Sequence, residues 1–331
     1  MIPWTRNGLQ IAYLSRKHLY MKKTTFSIPL ALSLLLVTCT KYDNKTTPSA
    51  LATTATSSTV TPLGAALTTP FTTAYVEVNS NSFHNPGCFT YGSPAKQVFS
   101  FAVIFAANIN VDANGNAVLY FNPQVQSTLT SGSIAYLHSL GIKVLLDVLG
   151  NHENAGWGCF TTYAMADSFA VQCAKAVTQY GLDGIDIDDE YSTCTTNTSS
   201  LVIALSALRA ELGSSKYLTK ALFNDTQYFS ATYNGKKAGD ILDYGWEETY
   251  GNTNYSGRLQ PYVSAGMAKT KLAIGVDIGG TDEKTAATFV KNNGYAAVMT
   301  YNISTTSQTN LSKVTNALFG KATSVTANCL Q

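Results

Sequence analysis

The run Leu182-Asp183-Gly184-Ile185-Asp186-Ile187-Asp188-Asp189-Glu190 carries the densest chemistry in the chain. Its isoleucines alternate with acidic residues, the period-two pattern of a strand with two unlike faces. On a strand, Asp186, Asp188 and Glu190 project to one side and Ile185 and Ile187 to the other. With the Ile face packed against helices, the three carboxyls rise along an interior wall and Glu190 stands outermost. Like charges in close reach raise one another's pKa. That keeps a carboxyl protonated near neutral pH, as a general acid requires. Clustered carboxylates also bind Mg²⁺ or Ca²⁺, and acidic runs also form solvated turns. The alternating isoleucines speak against the turn; the run by itself does not decide between catalysis and a metal.

Other residues with chemistry are sparser. Six cysteines stand at positions 39, 88, 159, 173, 194 and 329. They form no C-x-x-C pair and have no His at ligand spacing, so a zinc site is not expected. Cys88 and Cys159 each fall in a loop after a strand run and are the candidate disulfide, whereas Cys173 lies in a helical stretch and reads as a buried free thiol. Glu77 and Asn79 leave the first strand run, and Asn151 and His152 leave the third; all are placed to reach the top of a cleft. His84 and His138 read as structural or exposed.

The elements that must position these groups are legible from about residue 71. Eight apolar runs recur: Ala74–Val78, Val98–Phe105, Lys143–Leu149, Gly184–Asp188, Leu218–Asn224, Ile241–Trp246, Leu272–Val276 and Ala297–Tyr301. Most are continuous rather than alternating, as strands of a parallel sheet buried on both faces are. Helical periodicity fills Gln126–Leu140, Ala164–Tyr180, Leu201–Leu212 and Lys284–Asn293, and is weak or short after the first, fifth and sixth runs. Eight strands with intervening helices over about 250 residues predict an α/β fold, a single (β/α)₈ barrel with some helices short or missing. The competing doubly wound sheet lacks a glycine-rich turn after its first strand. A barrel puts its chemistry at the C-terminal ends of its strands, where Glu190 falls.

The N-terminal region reads differently. Met21-Lys22-Lys23 followed by an apolar stretch ending at Cys39 has the layout of a secretory signal, too short for the roughly 20 residues that span a bilayer. A Cys directly after such a stretch fits a lipoprotein-type signal in which Cys39 carries lipid. Residues 1–39 are therefore an upstream extension and signal, residues 40–70 a Thr/Ser/Ala-rich tether, and residues 71–331 the catalytic barrel. The expected location is outside the cytoplasm, lipid-anchored to an outer membrane or cell surface, otherwise secreted. With 22 Lys+Arg against 20 Asp+Glu, nothing marks a nucleic-acid surface. The only membrane contact expected is the anchor at Cys39, and the protein is expected to act as a monomer.

The run LDGIDIDDE resembles the DGxDxDxE signature of the family 18 glycoside hydrolases. The segments AYVEVNSNS, VFSFAVIFAANIN, GIKVLLDVLGNHENAGWG, YGLDGIDIDDEY and MTYN look like endoglycosidase H and its relatives, over about residues 72–320. The resemblance implies an endo-β-N-acetylglucosaminidase that cuts the GlcNAc–GlcNAc core of N-linked glycans, of high-mannose or hybrid type. It implies no metal or organic cofactor and a nucleophile supplied by the substrate's own acetamido group. In that scheme Glu190 is the acid and base, Asp188 orients the acetamido N–H, and Asp186 tunes Asp188. The acetamido contact from the sixth strand falls among Trp246, Glu247 and Tyr250; the endoglycosidase H group carries Asn where this chain has Glu247. Tyr301 is expected beside the −1 sugar. A chitinase would share the same three carboxyls, and a non-catalytic glycan-binding protein on this fold would usually lack the acid that Glu190 supplies.

Overall fold

The computed structural model describes residues 67–331; the predicted signal, Cys39 and nearly all of the tether lie outside the described residues. Each of the eight apolar runs is a strand: β1 Phe71–Glu77, β2 Phe101–Val111, β3 Lys143–Gly150, β4 Gly184–Asp188, β5 Tyr217–Leu222, β6 Tyr244–Glu247, β7 Leu272–Asp277 and β8 Ala297–Tyr301. All pair in parallel with their neighbours in sequence order, and β8 pairs back onto β1, which closes the barrel.

The pleat sorts the side chains into two cores. Ala74, Ala102, Leu146, Ile185, Ile187, Leu218 and Val298 face outward into a large cluster with the helices. Phe71, Phe101, Val103, Leu145, Tyr217, Trp246 and Met299 fill the barrel's lower interior. Most aromatic rings there meet edge-on or tilted, as Phe101 does with Tyr217 at 4.9 Å between centroids, an arrangement aromatic quadrupoles favour, while Tyr244 stacks on Trp246. A floor packed this way leaves open space only at the strands' C-terminal ends.

The helical stretch expected over Gln126–Leu140 divides into Pro123–Thr130 and Ser133–Ser139. Gly132 between them has φ +82°, a left-handed conformation that ends one helix and opens the other. Helices Tyr163–Tyr180, Ser200–Leu212 and Glu283–Asn293 lie where periodicity put them. Two further helices, Tyr255–Ser264 after β6 and Gln308–Phe319 after β8, complete the outer layer. β1 is followed only by a single helical turn, Asn85–Cys88, and a small antiparallel sheet. β2 runs past the barrel rim and folds back on Ala117–Tyr120. No helix among the described residues is long and apolar enough to cross a membrane.

The cysteines pair differently from expectation. Cys88 bonds Cys329, with Cα atoms 5.6 Å apart, and Cys159 bonds Cys194, 6.0 Å apart. Cys88 and Cys159 do sit in loops after strands, but Cys88 lies beside the sheet strand Thr323–Val325 that brings the C-terminal segment to it, whereas Cys159 faces the loop after β4. Cys173 is a buried free thiol; burial in its helix pushes it far above the ordinary thiol range. A disulfide limits the unfolded chain more the longer the loop it closes. Replacing the pair Cys159/Cys194 or the pair Cys88/Cys329 by serines is expected to cost about 2–4 kcal/mol each. Thermal melts of the two double variants check this, and unchanged melting temperatures would contradict it.

Candidate active site

β4 is buried along its whole length. Ile185 and Ile187 pack outward and free the inner face for Asp186 and Asp188, with Glu190 two residues past the strand end. Asp186 is fully buried and well supplied with donors. The Tyr75 hydroxyl of β1 and the Thr219 hydroxyl of β5 donate to it, and Trp246 Nε1 of β6 donates at 2.9 Å. Burial raises the Asp186 carboxyl above its ordinary range, and these hydrogen bonds oppose the rise. Asp188, one step higher, is only 4% exposed. Its Oδ1 is buried without any donor. Burial and then the Glu190 charge push it well up; Lys220 pulls the other way.

Above Asp188 opens a cavity of about 270 Å³. Its walls are aromatic (Tyr75, Phe105, Tyr191, Phe223, Tyr250 and Tyr301) and its polar groups are the carboxyls of Asp188, Glu190 and Glu248. Ring faces beside carboxylates suit a sugar, which offers C–H faces to the one and hydroxyls to the other. Burial raises the Tyr301 hydroxyl to about 12 and Tyr250 well above the usual phenol range, with Glu248 adding to the rise at Tyr250. Both rings therefore stay neutral donors at physiological pH. A larger polar groove of about 440 Å³ lies between the loop after β1 and helix Pro123–Thr130, lined by Asn81, Ser82, Gln124 and Ser127. Its one titratable side chain is His84, whereas the smaller cavity gathers three carboxyls.

Of the contacts expected from the sequence, Tyr250 and Tyr301 line the cavity with Glu190 and Asp188. Trp246 does not: it is fully buried on the floor, holding Asp186. Glu247 points away, because Trp246 before it takes the inward position of the pleat. It forms a buried ion pair with Arg258, whose Nη2 also donates to the Glu247 carbonyl at 2.9 Å. Glu77 folds over its own turn, where Oε1 accepts from the Asn79 backbone N–H at 3.1 Å and Oε2 from Ser80 Oγ at 2.9 Å. Asn79 accepts from Asn122 Nδ2 at 3.2 Å, and Asn151 donates to Asn110 at 2.8 Å. These three brace the rim rather than line the cavity. His138 pairs with Asp183 at 2.6 Å near the start of β4, and His84 stacks on Tyr136.

The residues that sequence reasoning missed are Tyr75, Asp147, Thr219 and Glu248. Each follows from the pleat once register is known: Asp147 is the register partner of Asp186, and Glu248 lies two positions beyond inward-facing Trp246. Breaking a buried ion pair by removing one partner costs about 3–5 kcal/mol. Arg258→Met is therefore expected to lower stability by about that amount while KM on any accepted substrate stays unchanged. Chemical denaturation beside steady-state kinetics checks it; a raised KM with wild-type stability would return Glu247 to the cleft.

Residues 71–326 match the family model "Glycosyl hydrolases family 18". The chain is 38% identical over 268 residues to an endo-beta-N-acetylglucosaminidase of Flavobacterium sp. (strain SK1022), spanning 76% of this chain and 82% of the relative. It is 32% identical over 201 residues to endo-beta-N-acetylglucosaminidase F1 of Elizabethkingia meningoseptica, spanning 56% of this chain and 58% of that relative. Among solved structures, EndoBT-3987 of Bacteroides thetaiotamicron in complex with Man9GlcNAc2Asn substrate superposes with a TM-score of 0.65 at 23% identity, over 77% of this chain and 67% of that one. At that identity the likeness speaks to the fold.

Proposed function

The chain belongs to family 18 of the glycosyl hydrolases, and from that premise we propose that it is an endo-β-N-acetylglucosaminidase acting on the GlcNAc-β-1,4-GlcNAc core of N-linked glycans. Asp188 carries the reading: a buried carboxyl whose Oδ1 has no donor, directly beneath Glu190 in an aromatic-walled cavity. An unsatisfied buried acceptor calls for an N–H from outside, and the 2-acetamido group of a −1 GlcNAc brings one. The two curated relatives, both endo-beta-N-acetylglucosaminidases, favour the N-glycan core over chitin.

With the acetamido N–H on Asp188, the acetamido oxygen lies against the anomeric carbon and attacks it. The bond to the leaving GlcNAc breaks as Glu190 gives its proton to the glycosidic oxygen. Positive charge builds on the ring oxygen and anomeric carbon in the transition state and passes to the N–C–O of the acetamido group in the oxazolinium, where Asp188 beside the N–H offsets it. Glu190, now a carboxylate, takes a proton from water, which opens the oxazolinium from the vacated face and leaves the configuration retained. An internal nucleophile gains the high effective molarity of a preorganised reaction. Tyr250 and Tyr301, kept neutral by burial, are the available donors to the acetamido oxygen. This route calls on no metal or organic cofactor.

High-mannose and hybrid glycans are the proposed substrates. Export with a lipid on Cys39 is proposed from the signal-like stretch. Two disulfides among the described residues support an oxidising compartment.

Digestion of a high-mannose glycoprotein is expected to leave a single GlcNAc on each Asn, read by mass spectrometry. Release of the whole glycan, or no change on any glycoprotein, would overturn the reading. Glu190→Gln is expected to lose about 10²–10⁴-fold in kcat, the scale of general acid catalysis, while glycan affinity persists.

A further inference from the structure

We propose that Asp147 is a protonated carboxyl built into the floor of the site, a positioning residue that fixes Asp186 as the anion. The kinetic part rests on the reading above; the protonation rests on the geometry of the floor.

Asp147 on β3 and Asp186 on β4 are register partners on the inner face of adjacent strands, so their buried carboxyls stand side by side in the floor. Two carboxyls buried side by side cannot both ionise, so the pair keeps a proton. The donor sets decide which one holds it. Asp186 receives Tyr75, Thr219 and Trp246. Asp147 is fully buried, and no N–H or O–H of another residue reaches either of its oxygens. Donors stabilise the anion they point at, so the charge belongs to Asp186 and the proton to Asp147. The titratable groups facing Asp147 from the packed elements are Asp186 and Asp188 of β4, Glu248 beyond β6 and Tyr75 of β1, all acidic or neutral. Burial first, then the charges of Asp188 and Asp186, hold it well above the ordinary carboxyl range.

A carboxylate has about four lone-pair sites. Tyr75, Thr219 and Trp246 occupy three of them, which leaves one for the Asp147 O–H. The proton on Asp147 is not transferred in the reaction; it stays pointed at Asp186 and holds that anion.

Two variants test this. Asp147→Asn keeps a neutral donor, and Asp147→Leu removes it. The sign of the stability effect follows from linkage. A carboxyl whose folded pKa lies above its unfolded value of about 3.9 destabilises the native state progressively as pH rises above that value. Asparagine has no such dependence. The folding equilibrium constant of Asp147→Asn relative to wild type is therefore expected to grow about tenfold per pH unit above about pH 4, measured by denaturant unfolding from pH 4 to 8. A ratio that stays flat overturns the proposal. In kinetics on the cleaved glycoprotein, Asp147→Asn is expected to keep the wild-type pH–rate profile. Asp147→Leu is expected to move the acid limb to higher pH, because Asp186 loses a donor to its anion, and to lower kcat about tenfold or more with KM unchanged. An Asn variant that behaves like the Leu variant also overturns it. Failure of the wild type to cleave the chitobiose core would sink the functional reading alone, since the unfolding ratio needs no substrate.

Discussion

Asp186, fully buried, takes hydrogen bonds from side chains of three other strands, and the remainder of the site is arranged around that demand. A carboxylate in a low-dielectric interior is costly unless its lone pairs are filled. Tyr75, Thr219 and Trp246 fill them from β1, β5 and β6, so three walls of the barrel are tied to β4 at one point. Trp246 is held there, which keeps it out of the cavity. The aromatic contact surface is supplied instead by Tyr250 and Tyr301, one level higher, whose rings stack at 6.0 Å between centroids.

Cations that act on the site are kept outside the barrel. Lys220 of β5 is buried on the outward face, 2.6 Å from Asp225, whose other oxygen accepts from Tyr262 at 2.6 Å. Burial alone would lower the Lys220 amine, but Asp225 and Asp189 more than offset it and the group stays charged. Its field reaches Asp188 through the sheet without occupying the cavity. Arg258 is likewise consumed by Glu247 and by the Gly275 carbonyl. The inner face is thus left to acids and neutral donors. A charge developing on a substrate there meets negative groups, and an incoming N–H meets a free acceptor.

How far the sequence speaks follows from which interactions are local. The alternation in GIDID needs no partner to be read, so β4 and the shared face of Asp186, Asp188 and Glu190 were legible, as were all eight strand positions. Asp147 was not, because one Asp in a run of Val and Leu acquires meaning only when β3 and β4 are set in register. Glu247 and Glu248 are adjacent acids, and only the inward turn of Trp246 decides between them. Glu77, Asn79 and Asn151 lie near the strand tops, as expected, yet their amides and carboxyl are used by neighbouring loops. The disulfides depend on two neighbouring loops meeting above β3 and β4 and on the C-terminal segment joining a small sheet, contacts separated by 35 and 241 residues.

Glu190 poses a positioning problem that Asp186 and Asp188 do not. Ladder hydrogen bonds fix the latter two, but β4 ends at Asp188, so an acid two residues on would sit in a loop with no sheet to hold it. The sequence solves this with contacts from the loop after β3. Gly150 has no Cβ, and one placed there would run into the Glu190 carbonyl oxygen, so the two loops approach more closely than any side chain allows. His152 N–H then donates to the Tyr191 carbonyl at 2.7 Å, and Thr193 N–H to Glu153 at 2.9 Å. Gly158 N–H donates to Asp189 at 3.1 Å, and the Cys159–Cys194 bond closes the set. These restraints flank Glu190 on both sides within four residues of chain. If Glu190 is the acid, as proposed, a displacement of about 1 Å there costs on the order of a hundredfold in rate, so Gly150, Gly158 and the Cys159–Cys194 bond serve it by position alone.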